Sequence, residues 1–123
     1  MDKPHKKLDV WKLSMELART IYRLTAGYPS EERFALVSQM RRAAVSVPSN
    51  IAEGAARDST NEFRNFLSIA RSSLSELDTQ LDLSRELGFV NEHTRSEVDR
   101  LLTRIDKMLY ALHRSKKCTV TPK

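Results

Sequence analysis

An all-α fold is what this sequence predicts, more narrowly an antiparallel up-down-up-down four-helix bundle whose second helix is kinked at Pro48. Three observations predict it. Apolar residues recur every three or four positions in four separate stretches, the spacing that gathers side chains on one face of a helix. The gaps between the stretches are short and carry residues that cap helices, which favours a bundle of sequential neighbours. The 123 residues include only three glycines and four prolines, with 40% hydrophobic and 30% charged residues. That leaves too few turn formers for an all-β fold and too much apolar content for disorder. A chain of this length forms one domain, residues 1–123, large enough for a core and too short for two.

Residues 1–7 read as a flexible arm, with Pro4 and several lysines ahead of Leu8. The first helix follows, its core stripe being Val10, Leu13, Leu17, Ile21 and Leu24. Trp11, Met15, Ala18 and Tyr22 lie beside that stripe and leave only Lys12, Glu16, Arg19 and Arg23 for water. This is more apolar surface than one small bundle needs, so the second set is expected to lie between subunits. Gly27, Tyr28 and Pro29 end the helix.

Ser30 is the expected cap of the second helix, with Glu31 and Glu32 against the positive end of its dipole, and the helix should run from about Glu31 to about Ala56. Pro48 lacks a backbone donor and should kink it; a break into two helices near Val47 is the alternative. Leu36, Met40, Ala44, Val47 and Ile51 make one apolar face, and Val45, Ala52 and Ala56 make a second. Between them runs a polar strip of Gln39, Arg42, Ser46, Asn50, Glu53 and Arg57. A solvated face would look the same. Ser46, Asn50 and Glu53 are nevertheless short or medium side chains that exchange hydrogen bonds well at close range, which points to a structural polar seam of Gln39, Ser46, Asn50 and Glu53.

Ser59 and Glu62 form a capping box for the third helix, whose seam is Phe63, Leu67, Ala70, Leu74, Leu77 and Leu81 and whose stop is Gly88. Asn91 caps the last helix. Its core stripe is expected to be Val98, Leu101, Ile105, Met108 and Leu112, broadened by Leu102 and Leu109. Residues 115–123 are polar, lack periodicity and read as a flexible tail.

The formal charge is +5, a surplus that suits polyanionic partners. It is unevenly spread. Residues 1–30 carry an excess of +3 and residues 91–123 an excess of +4, while residues 59–90 carry −2. Arg100, Arg104, Lys107 and Arg114 project from one stripe of the last helix. With Arg41 and Arg42 they are the candidate nucleic-acid contacts, although a plain solvated helix face has the same pattern. Trp11, Phe63 and Phe66 belong to apolar stripes, so no aromatic pair is expected among the cations and phosphate contacts should dominate.

Catalysis finds little support. His5, His93 and His113 show no metal-ligand spacing, and the only cysteine is Cys118, so neither a metal nor a cofactor is expected. Glu53 and Glu76 are a carboxylate pair that could meet across helices, but no nucleophile motif or glycine-rich phosphate loop accompanies them. No small-molecule substrate suggests itself. No apolar run approaches the roughly 20 residues needed to span a bilayer, and Met1 to Lys7 lacks the apolar core of a signal peptide. With its lone cysteine the protein is expected in the reducing cytoplasm, away from membranes.

Four segments carry a resemblance. Leu8-Asp9-Val10-Trp11, Gln39-Met40-Arg41-Arg42-Ala43-Ala44, Asn50-Ile51-Ala52-Glu53-Gly54, and Phe66-Leu67 through Ala70 to Glu76-Leu77 resemble the four-helix-bundle proteins encoded within intervening sequences of bacterial 23S rRNA genes. The resemblance spans about residues 8–90, and Asn50 to Gly54 after Arg41-Arg42 is its most specific part. It implies a bundle assembled as a ring of five identical subunits, with no established catalytic activity. It also implies a relation to the basic bundle proteins that accompany reverse transcriptases in diversity-generating retroelements, whose ring is thought to bind nucleic acid. Together these readings give an oligomeric scaffold that binds RNA or DNA weakly. The alternative is a protein–protein adaptor that binds no nucleic acid.

Overall fold

The computed structural model describes residues 1–116. Within them the chain forms helices α1 (Asp9–Thr25), α2 (Leu36–Ala55), α3 (Thr60–Glu86) and α4 (Glu92–Ser115), with single 3-10 turns at Pro4–Lys7 and Ser30–Glu32. Each helix packs on the next, and α1 also meets α4, closing the four into a bundle. Met40 meets Ser84 and Ser46 meets Ser73, so residues rising along α2 face residues falling along α3. Asp82 with Arg95 and Arg71 with Asp106 repeat that reversal between α3 and α4.

The caps follow from local chemistry. The Ser59 hydroxyl accepts the Glu62 amide at 3.3 Å, and the Asn91 side-chain Oδ1 accepts the Thr94 amide at 2.8 Å. Both satisfy donors that a helix start would otherwise strand. Gly88 closes α3 with a positive φ of 82°, a conformation cheap only for glycine.

The second helix departs from expectation. Ser30, Glu31 and Glu32 form a 3-10 turn of their own, with the Glu32 amide on the Pro29 carbonyl at 2.9 Å, and α2 begins only at Leu36. Leu36 and Val37 are the first residues of this segment to reach the core, and burial, not the capping signal, decides where the α-helix starts. Phe34 is left in the connection, 88% exposed. No break occurs near Val47, because α2 is continuous through a buried Pro48. The Asn50 side chain spans that turn, its amide donating to the Ser46 carbonyl at 2.7 Å.

Leu17, Ile21, Met40, Val47, Ile51, Leu67, Leu77, Leu81, Ile105 and Leu109 are fully buried and form the centre of the core. Two stripes are rotated from their expected positions. On α4 the buried line is Val98, Leu102, Ile105 and Leu109, while Leu101, Met108 and Leu112 are only partly covered. On α2 the additional covered residues are Ala43, Pro48 and Gly54, whereas Val45 and Ala56 are exposed and Ala52 half-buried. Residues 4–7 are more than a loose arm: their turn touches α1 and α2, and the His5 ring meets Trp11 edge-on at 4.9 Å. Ser115 closes α4, and the rest of the expected tail beyond Lys116 lies outside the described residues.

Candidate nucleic-acid interface

The cations of α4 stand as a helix of 3.6 residues per turn requires. Arg100, Arg104, Lys107 and Arg114 are all exposed, and among the described residues none makes an ion pair within 4.0 Å. Other arginines of the neighbourhood are neutralised: Arg71 Nε lies 3.0 Å from Asp106, and Arg85 lies 3.3 Å from Glu92. The stripe is not uniformly positive. Arg104 borders a recess shared with Asp9 and Glu16 of α1, and Lys107 borders a groove of about 510 Å³ between α3 and α4 in which Asp78, Asp99 and Asp106 also stand. Tyr110, half-exposed, carries Arg71 at 5.0 Å and Arg114 at 6.0 Å from its ring centroid.

Arg41 and Arg42 part company. Arg41 reaches back to α1, where its Nε donates to Thr25 Oγ1 at 3.0 Å, its terminal nitrogen donates to the Tyr22 carbonyl at 3.2 Å, and its guanidinium lies 4.5 Å from the Tyr22 ring centroid. It thereby neutralises the negative end of the α1 dipole and fastens α1 to α2. Arg42, one residue on, is exposed. Both border a recess of about 590 Å³ shared with Tyr22, Arg33, Phe34 and Val45, and among the described residues no carboxylate lines it. The expectation that no aromatic pair stands among the cations is therefore corrected. Phe34 escaped notice because the expected helix ran through it.

The polar strip divides. Ser46 and Ser73 hydroxyls lie 2.8 Å apart, and the Asn50 amide donates to Ser46 Oγ at 2.9 Å, a three-residue network between α2 and α3. Gln39 and Glu53 are exposed and stand outside it. Of the apolar set on α1, Trp11 and Ala18 pack against the core and Met15 is half-buried, while Tyr22 is 45% exposed and held beneath Arg41. Part of the surplus apolar surface is thus covered by the chain's own N-terminal turn.

One charged cluster was not anticipated. Arg95, its side chain 7% exposed, is gripped by Asp78 and by Asp82 at 3.0 Å, with Asp99 at 3.6 Å. Burial works against its charge, but the hydrogen bonds and charges of Asp78 and Asp82 outweigh that and hold its pKa above the ordinary arginine value. The signal was present in the i, i+4 spacings Asp78/Asp82 and Arg95/Asp99. Burial, followed by the charges of Arg64 and Arg71, lowers the pKa of His113. Glu76 accepts from Gln80 at 3.2 Å and Glu53 faces solvent, and no group of three metal-ligating side chains occurs among the described residues. No helix among them is long and apolar enough to cross a membrane. Cys118 lies outside the described residues.

Four packed helices with a hydrogen-bonded seam and separate cationic faces define a four-helix-bundle protein. Residues 6–111 match the model of the 23S rRNA-intervening sequence protein family, and the chain belongs to that family. Its structure is similar to the crystal structure of a protein of unknown function from the S23 ribosomal protein family of Bacteroides thetaiotaomicron. The two share 25% identity and a TM-score of 0.80, with 85% of this chain and 95% of that one covered. A search among curated proteins found no match.

Proposed function

We propose that this chain is a non-enzymatic scaffold that assembles with copies of itself, as a five-membered ring, and holds nucleic acid weakly through phosphate contacts. The observation that carries the reading is the row of exposed cations Arg100, Arg104, Lys107 and Arg114 along one side of α4, which make no ion pair among the described residues. The fourteen helical steps from Arg100 to Arg114 span about 21 Å, the reach of several phosphates. A ring would repeat that row around an axis and strengthen its field. The proposed location is the cytoplasm, because a lone cysteine suits a reducing compartment.

The test is fluorescence anisotropy with labelled RNA and DNA over a salt series, with the oligomer's mass measured in parallel. Affinity is expected to fall steeply with salt as neutralised phosphates release counterions. Replacing Arg100, Arg104 and Lys107 by glutamine should flatten the slope while preserving helix content. Absence of binding at low salt by the assembled protein would favour the adaptor reading. A monomer at micromolar concentration would remove the ring.

A further inference from the structure

The recess at the junction of α1 and α2 brings two exposed rings, Tyr22 and Phe34, together with three arginines. Phe34 projects from the connection ahead of α2, with the Arg33 guanidinium 5.3 Å from its ring centroid. Tyr22 offers a second exposed ring beside Arg41. A phenyl ring that is 88% exposed loses apolar burial worth about 2 kcal/mol and contributes nothing visible to this core. The recess has about 590 Å³, within the size range of ligand pockets in general. Arg33, Arg41 and Arg42 give it three positive charges without a lining carboxylate among the described residues, and the bonds of Arg41 to Thr25 and Tyr22 fix that guanidinium in advance.

Charge and shape select the occupant. Three guanidiniums ask for an anion, and exposed rings beside them ask for a flat, polarisable partner that stacks. A duplex presents phosphates but hides its base faces in the helical stack, whereas an unpaired strand presents both. We infer that the Tyr22–Phe34 recess is a stacking site for an unpaired nucleotide, with Phe34 meeting the base and Arg42 an adjacent phosphate. This rests on the nucleic-acid reading above and adds to it a preference for single strands and a place where that preference is exerted.

The experiment compares a labelled 12-nucleotide unpaired oligouridine with a 12-base-pair RNA duplex at one salt concentration, using the assembled protein and three variants. Phe34→Ala should weaken single-strand binding about tenfold and leave duplex binding unchanged. Phe34→Leu should behave like Phe34→Ala, since leucine is apolar but cannot stack, and Phe34→Trp should restore binding. Circular dichroism should be the same for all, because the side chain supports no core contact. Wild-type binding that is indifferent to all three variants overturns the stacking site and leaves the phosphate reading standing. Wild-type protein that binds neither nucleic acid overturns both. Phe34→Ala that lowers the oligomer's mass, with Phe34→Leu restoring it, shows that a second copy of this chain fills the recess and also overturns the inference.

Discussion

The two faces of α3 are held by different forces. Toward α2 the contact is close, with Gly54 set against Phe63 and Phe66, and its side-chain hydrogen bonds are the Ser46–Ser73–Asn50 network and Ser84 on the Met40 sulfur. Toward α4 the contact is spaced by a groove and bridged by charge, through Arg95 with Asp78 and Asp82 and through Arg71 with Asp106. The first interface depends on fit, because packed interiors tolerate neither added nor missing volume. The second depends on electrostatics, which relaxes more readily and weakens with salt wherever the charges face water.

The difference is broken most directly at Gly54. A Cβ there would stand 2.7 Å from Phe63 Cδ1 and 2.8 Å from Phe66 Cβ, and the second of these is tied to the α3 backbone. Gly54→Ala should therefore cost about 3 kcal/mol, read as a fall in Tm that added salt does not change. On the other face, the double change Asp78→Asn and Asp82→Asn leaves a buried guanidinium with Asp99 alone. Because both carboxylates are nearly half exposed, the expected loss is about 2 kcal/mol, less than for a fully buried pair, and it should exceed that of Arg95→Met. The reverse order of those two variants would mean that Arg95 is retained for something other than its charge.

Asn50→Leu should cost about 1–3 kcal/mol by stripping Ser46 of its donor at the seam. An unchanged Tm would show the network to be effectively solvated. Smaller still is the effect of His113. Its folded-state pKa lies below the ordinary 6.5, so the unfolded chain binds the proton more readily, and stability should decline as pH falls through 6.5 toward the folded value. Arg64→Gln should move its NMR titration midpoint upward. Tyr28→Phe should have little effect, since burial raises the pKa of this hydroxyl more than the neighbouring Ser84 hydroxyl lowers it, and Ser84 already donates to the Gln80 carbonyl at 2.8 Å.

Helix count, the Ser59 and Asn91 caps and the α3 seam were legible because they depend on neighbours in sequence, whereas the expected Ser30 cap failed. Ser59 with Glu62, Asn91 with Thr94, and the run Leu67 to Leu81 each act within one or two turns. The candidate site was only half legible. Arg100, Arg104 and Lys107 share a face by helical geometry alone, so their row could be read directly. Whether Arg41 is a free cation could not, for its partners Thr25 and Tyr22 are sixteen and nineteen residues away.

By itself, then, the amino-acid order determined what local periodicity and capping control: four helices, most of their buried stripes, and the exposed basic row of α4. Tertiary structure alone decided the late start of α2 and the exposure of Phe34 that follows from it. It also decided the small rotation of the α4 stripe onto Leu102 and Leu109, the separation of Ser46 and Asn50 from Gln39 and Glu53, and the burial of Arg95 among three aspartates. Each of these depends on which surface a side chain meets across the bundle. Burial and charge pairing act through space, and they outweigh the few tenths of a kcal/mol by which local propensity distinguishes one residue from the next.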